Sequence, residues 1–192
     1  ATTNTAIYIR YILAFFEEHP QLSLSLHEYD ARDARKAFQN GSLDMMIGYT
    51  GSFEELLAAD TSGELSVLIL HQEQLFYAGI LSSPREHISL REAVSDRLIL
   101  HQNAVSEIES LLLAYGIDPG SSHPVVTTTS MDVLKAYLLS GTARSLISPS
   151  SARALDLNER LEMIPINEDP TLRLGLLCRP GFWLKRCILE DR

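Results

Sequence analysis

Cysteine is scarce in this chain, since Cys178 and Cys187 are the only two among 192 residues, and they have no metal-ligand spacing. A disulfide scaffold is therefore not expected, and the composition fits a reducing cytoplasm. Apolar runs are also short, because none reaches the roughly 18 residues that suggest a transmembrane helix. No signal peptide is visible at the N-terminus, although a processed periplasmic protein would have lost that peptide.

The chain has fewer basic than acidic residues. The 16 Lys and Arg residues face 25 Asp and Glu residues, which gives a formal net charge of −9. Binding to nucleic-acid phosphates requires clustered Lys and Arg, so this balance argues against a DNA- or RNA-binding surface. The charges are scattered and indicate a solvated acidic surface. At 45% hydrophobic and 21% charged residues, the chain has the composition of a globular protein with one large domain or two small lobes.

Catalytic signatures are missing from the sequence. It contains no Gly-x-Ser-x-Gly elbow, no Gly-Lys-Ser/Thr phosphate loop and no Gly-x-Gly-x-x-Gly fingerprint. None of the six histidines has a His, Cys or carboxylate partner at a helical metal-ligand spacing, so we expect surface or loop histidines and no metal or cofactor. Ser148-Pro149-Ser150-Ser151 resembles a nucleophile loop, but a strand end followed by a helix capped by Ser151 is the simpler interpretation.

Strands alternate with helices along the chain. Apolar residues at helical spacing predict a helix over residues 6–18, and alternation predicts a strand over 22–29. A helix over 31–40, capped by Asp30 and stopped by Gly41, precedes a buried strand over 43–49. Further helices are predicted over 90–94, 106–115, 131–139 and 152–155, and further strands over 65–70, 75–81, 98–100, 125–129, 145–147, 161–166 and 172–178. This order predicts an α/β fold with largely parallel strand pairing.

Two polar segments are candidate anion sites. Thr2-Thr3-Asn4-Thr5 precedes the first helix, and the loop His-Gln-Asn-Ala-Val-Ser over 101–106 is predicted between a strand and another helix. The first N–H groups of a helix have no intrahelical partner, so they can donate to a small anion while hydroxyl and amide side chains add direction. Simple helix capping is the alternative interpretation of each segment.

The spacing of several segments resembles one family. A helix that ends with Phe16 and His19-Pro20 precedes an alternating strand, and the next helix leads to Gly41-Ser42-Leu43-Asp44 and the apolar residues 45–47. Later, Ser130-Met131-Asp132 is followed by Leu138, Gly141 and Leu146-Ile147. Over nearly the whole chain, this order resembles the effector-binding domain of LysR-type transcriptional regulators. Ala143 stands where the family usually has a second Gly, which leaves open whether Arg144 is a surface residue or an anion contact.

The resemblance implies an α/β fold of two Rossmann-like lobes joined by two crossover strands, the type 2 periplasmic-binding-protein fold. Residues 1–74 with 172–192 would form lobe I and residues 75–171 lobe II, with the effector in the cleft between them. The family's DNA-binding helix-turn-helix is absent from this chain, so we expect a fragment of a longer regulator. The resemblance also implies an antiparallel homodimer, or a tetramer at full length, through the apolar helix at 6–18 and the strand beside it.

By resemblance, the effector contacts come from several segments of the chain. The expected contact residues are Thr3, Thr5, Tyr49, Thr50, Asn103, Ser106 and Thr129. Short hydroxyl and amide side chains suit an uncharged shell around a carboxylate, a sulfate-like ion or a related anion. The threonine cluster at 2–5 resembles the sulfur-metabolism branch of the family, although Ala6 replaces the Gln that is usual there.

Three classes of function remain. The leading hypothesis is a cytoplasmic ligand-sensing domain without enzymatic activity, which acts on DNA only through the missing N-terminal domain. Its effector would bias the angle between the lobes by binding one arrangement better than another. The alternative is a periplasmic solute-binding protein of the same fold, which predicts an upstream signal peptide and a monomer. An enzyme on this fold is disfavoured because paired acid and base candidates are lacking.

Overall fold

We describe a computed structural model of the chain, which defines residues 25–81, 85–121, 126–157 and 159–179, and positions 9, 12, 13, 17, 20, 21 and 23 before them. The chain divides into two compact units. The small unit comprises residues 27–72 and 173–192, and the large unit comprises residues 1–26 and 73–172. Residues 1–26 were predicted in lobe I, but most of them lie outside the described residues, so the predicted lobe boundaries stay a prediction.

Helices and strands alternate along the described chain. The helices are α1 (Ala31–Gln39), α2 (Glu54–Ala59), α3 (Leu90–Ser95), α4 (Gln102–Ala114), α5 (Met131–Leu139) and α6 (Pro149–Ala154), with short 3-10 helices at Thr50–Phe53 and Pro119–Ser121. The strands are β1 (Met45–Tyr49), β2 (Ser66–Gln74), β3 (Phe76–Gly79), β4 (Ile99–His101), β5 (Val126–Thr128), β6 (Ser145–Ile147), β7 (Glu162–Pro165) and β8 (Thr171–Cys178). The predicted mixture of helices and strands is confirmed.

Local signals place α1 as predicted. The Asp30 carboxylate accepts a 2.8 Å hydrogen bond from the backbone N–H of Asp33, which satisfies one of the unpaired donors of the first turn. Gly41 follows the helix with a φ of +80°, a conformation that costs little only for glycine. Both the predicted start and the predicted stop of this helix are confirmed.

The small unit packs α1 and α2 around the strand β1. Its apolar core consists of Phe38, Met46, Phe53, Leu56 and Leu177. In the sheet that contains β1, the strand order is β1-β8-β2, and β1 runs antiparallel to β8 with Gly48 opposite Gly175. The chain passes between the small and the large unit within β2 and within β8, because the unit boundaries fall at 72–73 and 172–173.

The large unit contains both antiparallel and parallel strands. β3 pairs antiparallel with β6 and with β7, whereas β4 pairs parallel with β5. A parallel bridge between Leu98 and Arg144 places β6 beside β4, and Ser145 Oγ donates to the carbonyl of Ile99 at 2.8 Å. The expectation of largely parallel pairing is therefore wrong. The alternation of helices and strands along the sequence does not specify which strands pair, and β3 pairs with two strands that come much later in the chain.

Three local predictions differ from the structure. Ser23 and residues 25–29 form no strand; Leu26 is 55% exposed, so the apolar face that the alternation indicates is not buried there. The helix α4 begins at Gln102, directly after β4, so the predicted loop at 101–106 does not exist. α6 is capped by Ser148 and not by Ser151, because Pro149 suits the first helical position and Ser148 Oγ accepts from the Ser151 N–H at 3.3 Å.

The predicted helix at 6–18 lies largely outside the described residues. Ile9, Ile12, Leu13 and Glu17 are helical, and Leu13 is 55% exposed. The sequence places Ile12 on the expected dimer face together with Ile7, Tyr8, Tyr11, Phe15 and Phe16, and these last five residues lie outside the described part of the chain. Self-association through this helix stays a prediction.

Candidate functional site

Three parallel strands of the large unit end at one edge, and a helix follows each of them. β4 leads directly into α4, β5 leads through Thr129 and Ser130 into α5, and β6 leads through Ser148 into α6. In α/β sheets, ligands bind outside the carboxyl ends of the strands, where the free N–H groups of helix starts are collected. We refer to this region, formed by residues 101–106, 128–130 and 148–151, as the carboxyl edge.

Side chains of the protein already satisfy two of these helix starts. Ser130 Oγ accepts from the N–H of Val133 at 3.4 Å, which caps α5. In α6, the Glu73 carboxylate accepts from Ser150 Oγ at 2.6 Å and from the Ser150 N–H at 3.3 Å. An internal carboxylate thus occupies the first turn of α6. The start of α4 and the turn before α5 are therefore the candidate site for an external anion.

The turn between β5 and α5 has a defined shape. In the parallel ladder, His101 at the end of β4 lies opposite Thr128 at the end of β5. Thr128 Oγ1 accepts from the N–H of Ser130 at 3.0 Å, and the His101 Nε2 lies 3.2 Å from the carbonyl oxygen of Thr129. The Thr129 side chain is exposed at this turn, where it is accessible to a ligand.

Three of the predicted contact residues lie in the part of the large unit formed by residues 73–172. Asn103 and Ser106 belong to α4, Ser106 one helical turn after its start, and Thr129 belongs to the turn after β5. Ser106 and Thr129 are exposed, while the side chain of Asn103 lies outside the described atoms. The structure brings the three residues to the carboxyl edge, although two of them lie on a helix and not in the expected loop.

Two predicted contacts lie at the end of β1 in the small unit. The carbonyl oxygen of Tyr49 accepts from Ser52 Oγ at 2.6 Å, and Thr50 is the first residue of the 3-10 helix that follows. A Cβ atom at Gly175 would lie 3.0 Å from the methyl carbon of Thr50, so Thr50 packs closely over this glycine. Thr3 and Thr5, the remaining predicted contacts, lie outside the described residues.

Arg144, whose role the sequence leaves open, holds a turn together. Its Nη1 donates to the carbonyl oxygens of Gly141 and Ala143 at 2.8 and 3.2 Å, and a Cβ atom at Gly79 would lie 2.2 Å from its Cδ. The residue precedes β6, so it lies at the opposite end of that strand from Ser148. Arg144 therefore shapes the turn between α5 and β6 and lies away from the carboxyl edge.

A buried tyrosine and a carboxylate interact at the same end as Arg144. The hydroxyl of Tyr77 donates to the Asp96 carboxylate. Burial and the bond to Asp96 raise the pKa of Tyr77. Burial acts to raise the pKa of Asp96 as well, but hydrogen bonds from Tyr77 and from the Arg97 N–H outweigh it and leave that pKa lowered. Sequence reasoning missed this pair, because nothing in the sequence spacing connects the two residues.

The described residues also bear on metal binding and membrane insertion. Within the described ranges, no group of three or more His, Cys, Asp or Glu residues is arranged to hold a metal ion. Among the helices of the same ranges, none is both long enough and apolar enough to cross a membrane. Cys178 is buried, with its Sγ 3.3 Å from Ser66 Oγ.

Comparison with known proteins identifies the family. The family model of the LysR substrate binding domain matches residues 1–188, so this chain belongs to that family. Its members are ligand-sensing regulatory domains of LysR-type transcriptional regulators and have the type 2 periplasmic-binding-protein fold. The predicted family and fold are confirmed. A search of curated protein sequences finds no match to the chain.

Several solved structures have the same fold. The regulatory domain of CcmR from Synechocystis PCC6803, in complex with 2-PG, has a TM-score of 0.72 at 16% identity over 99% of this chain and 91% of its own. The BenM effector binding domain with its effector benzoate has a TM-score of 0.65 at 19% identity, covering 88% and 76%.

A cysteine-to-serine mutant of Corynebacterium glutamicum OxyR, bound to H2O2, has a TM-score of 0.69 at 18% identity. The match covers 93% of this chain but only 56% of the OxyR chain. At these identities the likeness shows the fold alone, and it leaves the ligand of this chain to be argued from its own residues.

Proposed function

We propose that this ligand-sensing domain binds a small anion, either a carboxylate or a sulfate-like ion. The proposed contacts at the carboxyl edge are Asn103, Ser106 and Thr129, and the other proposed contacts are Thr3, Thr5, Tyr49 and Thr50. The observation that carries the proposal is the carboxyl edge, where the start of α4 lies beside the exposed Thr129. The BenM effector binding domain, which has the same fold, provides an example of this class of ligand, because its effector benzoate is a carboxylate.

The residue types at the edge favour an anion held by hydrogen bonds. No Lys or Arg occurs in 101–106 or 128–130. Hydroxyl and amide donors, together with the N–H groups of a helix start, can hold a small anion without a full positive charge. The net charge of −9 does not oppose this, because carboxylates beyond about 10 Å are screened at physiological salt.

We propose that the chain is part of a longer cytoplasmic regulator in which effector binding changes DNA binding through an N-terminal helix-turn-helix. We propose that the regulator is a homodimer that associates through the predicted helix at 6–18. No enzymatic step is part of the proposal. A periplasmic solute-binding protein of the same fold is the alternative, which an upstream signal peptide would favour.

Isothermal titration with matched anionic and neutral compounds tests the proposal. Benzoate is compared with benzamide, which has a similar shape but no charge, and sulfate is titrated separately. We expect an anion to bind and its neutral counterpart to bind at least about ten-fold more weakly, since hydrogen bonds to charged groups are the stronger ones. Equal affinity for the neutral compound would contradict an anion site. A thermal-shift screen of further small carboxylates and sulfur oxyanions extends the series.

A further inference from the structure

We infer that His101 is a positioning residue of the effector site, which fixes the turn between β5 and α5 against the end of β4. The inference rests on the proposed function, because it takes Thr129 and the start of α4 as parts of the site. The observation that carries it is the 3.2 Å contact between His101 Nε2 and the carbonyl oxygen of Thr129. His101 is half-buried at the end of β4, where its ring can span to the neighbouring strand.

The chemistry of the contact determines which ring nitrogen carries a proton. A backbone carbonyl oxygen only accepts hydrogen bonds, so Nε2 must be the donor. The neutral Nε2–H tautomer and the imidazolium both satisfy this requirement, so the contact does not depend on a positive charge. A side chain with an N–H donor at a similar distance from the backbone can replace the imidazole, whereas an apolar side chain cannot.

The contact lies one residue beyond the backbone ladder. The parallel pairing of β4 and β5 ends at His101 and Thr128, after which one chain enters α4 and the other enters the turn. Inside that turn, the bond from the Ser130 N–H to Thr128 Oγ1 spans two residues. It shapes the turn but does not tie it to β4. The imidazole supplies a link between the two strands at the position where the ladder stops.

The link has a direct consequence for ligand binding. Asn103 follows His101 by two residues on α4, and Thr129 carries the carbonyl that His101 holds. The imidazole thus fixes the position of Thr129 relative to Asn103, two proposed contacts that lie on different elements. A ligand that uses both then does not have to order the turn when it binds, which lowers the entropic cost of binding.

Two substitutions separate the hydrogen bond from the bulk of the side chain. His101→Gln keeps an N–H donor on a flexible side chain, and His101→Leu keeps volume without a donor. His87→Leu is the control for loss of an exposed histidine in the same unit. Amide exchange measured by NMR at Ser130 and Val133 reports on the turn. The amide of Glu92, capped by Ser89 in α3 at 3.2 Å, is the internal reference.

We expect His101→Leu to speed exchange at Ser130 and Val133 about ten-fold, the change that loss of one hydrogen bond produces. Exchange at Glu92 should stay unchanged, and both His101→Gln and His87→Leu should behave like the parent chain. In titrations with benzoate and with sulfate, whichever binds the parent should bind His101→Leu about ten-fold more weakly and His101→Gln nearly normally.

Two results would overturn the inference. One is unchanged exchange at Ser130 and Val133 in His101→Leu, which would show that the imidazole does not hold the turn. The other is faster exchange with unchanged anion affinity, which would show that the turn is held but is not part of the site. Failure of both anions to bind the parent chain counts instead against the proposed function, and the exchange rates still decide whether His101 holds the turn.

Discussion

The carboxylate of Glu73 accepts hydrogen bonds from both the side-chain hydroxyl and the backbone N–H of Ser150, at 2.6 and 3.3 Å. Glu73 lies in β2 next to the point where the chain enters the large unit, and Ser150 lies in the first turn of α6. A negative charge at a helix N-terminus is favourable because the unpaired N–H groups carry partial positive charge. This contact ties the entering strand to the large unit.

Replacing Glu73 should therefore destabilise the fold. We expect Glu73→Ala to lower the free energy of unfolding by about 1.5–3 kcal/mol, the typical range for hydrogen bonds to a charged group. Glu73→Gln should lose less, since its amide oxygen can still accept from Ser150. Urea denaturation provides the measurement, and Glu86→Ala, at an exposed position, is the control. A loss no larger than that of the control would show that the contact does not stabilise α6.

Gly79 and Arg144 form a second testable pair. A Cβ atom at position 79 would lie 2.2 Å from Arg144 Cδ, so Gly79→Ala must displace the arginine and its bonds to Gly141 and Ala143. We expect Gly79→Ala to cost about 1–3 kcal/mol of unfolding free energy, as overpacking does. Gly48→Ala is the control, because its nearest neighbour outside the adjacent residues, Ser52 Oγ, would lie at 3.4 Å.

A double-mutant cycle decides whether the cost of Gly79→Ala comes from the clash. In an Arg144→Ala background the methyl group added at position 79 meets no arginine, so the second substitution should add little to the cost of the first. Fully additive losses of unfolding free energy in the double mutant would contradict this explanation.

The bond between Tyr77 and Asp96 predicts how stability depends on pH. The folded-state pKa of Tyr77 is raised above its ordinary value of 10.0, so the folded state keeps the phenolic proton after the unfolded chain has lost it. This contribution is complete below about pH 10 and is lost as the pH rises further. The pKa of Asp96 is lowered from 3.8, so its contribution is present above that pH and is lost on acidification below it.

Tyr77→Phe provides the test of that dependence. It removes both the phenolic proton and the donor to Asp96, so the fall in unfolding free energy above pH 10 should become shallower. Stability near neutral pH should drop by about 1–2 kcal/mol, because Asp96 loses a hydrogen bond. Urea titrations at a series of alkaline pH values give the slopes, and Tyr137→Phe, at an exposed tyrosine of α5, is the control. Identical slopes in parent and Tyr77→Phe would exclude Tyr77 as the group responsible.

Effector binding should depend on the polar side chains at the carboxyl edge. We expect Asn103→Ala and Thr129→Ala each to weaken anion binding about ten- to a hundred-fold, the effect of losing one hydrogen bond to a charged ligand. Thr5→Ala should act in the same direction. Thr127→Ala is the matched control, because it removes an exposed threonine hydroxyl from β5 two residues earlier. Calorimetry and circular dichroism together separate lost binding from lost folding, and loss of affinity in the control alone would contradict the assignment.

Local chemistry made much of the fold predictable. Asp30 before an amphipathic segment and Gly41 after it predicted α1 correctly, because caps depend on residues close in sequence. The structure also has serine caps, Ser89 and Ser130, before α3 and α5. The start of α4 was predicted four residues too late, since no hydroxyl marks it and the helix continues directly from β4. The choice of Ser151 over Ser148 failed because both serines suit a cap and only the position of Pro149 separates them.

Long-range contacts could not be predicted in the same way. Glu73 accepts a hydrogen bond from Ser150, and Arg144 packs over Gly79, although the two residues of each pair are far apart in the sequence. The pairing of β3 with β6 brings the elements that carry them together. The family resemblance predicted which segments contact the effector, but it did not predict the link between His101 and Thr129. That link depends on the pairing of β4 with β5, which brings together residues that are far apart in the sequence.

The central claim is that a small anion binds at the carboxyl edge of the large unit, and amide chemical-shift mapping tests it most directly. An isotope-labelled chain is titrated with benzoate, benzamide and sulfate while the backbone amides are followed by NMR. We expect an anion to produce saturable shifts concentrated at residues 101–106 and 128–130, and we expect Asn103→Ala and Thr129→Ala to reduce them. Saturable binding with shifts confined to other parts of the chain, or equal shifts with benzamide, would contradict the central claim.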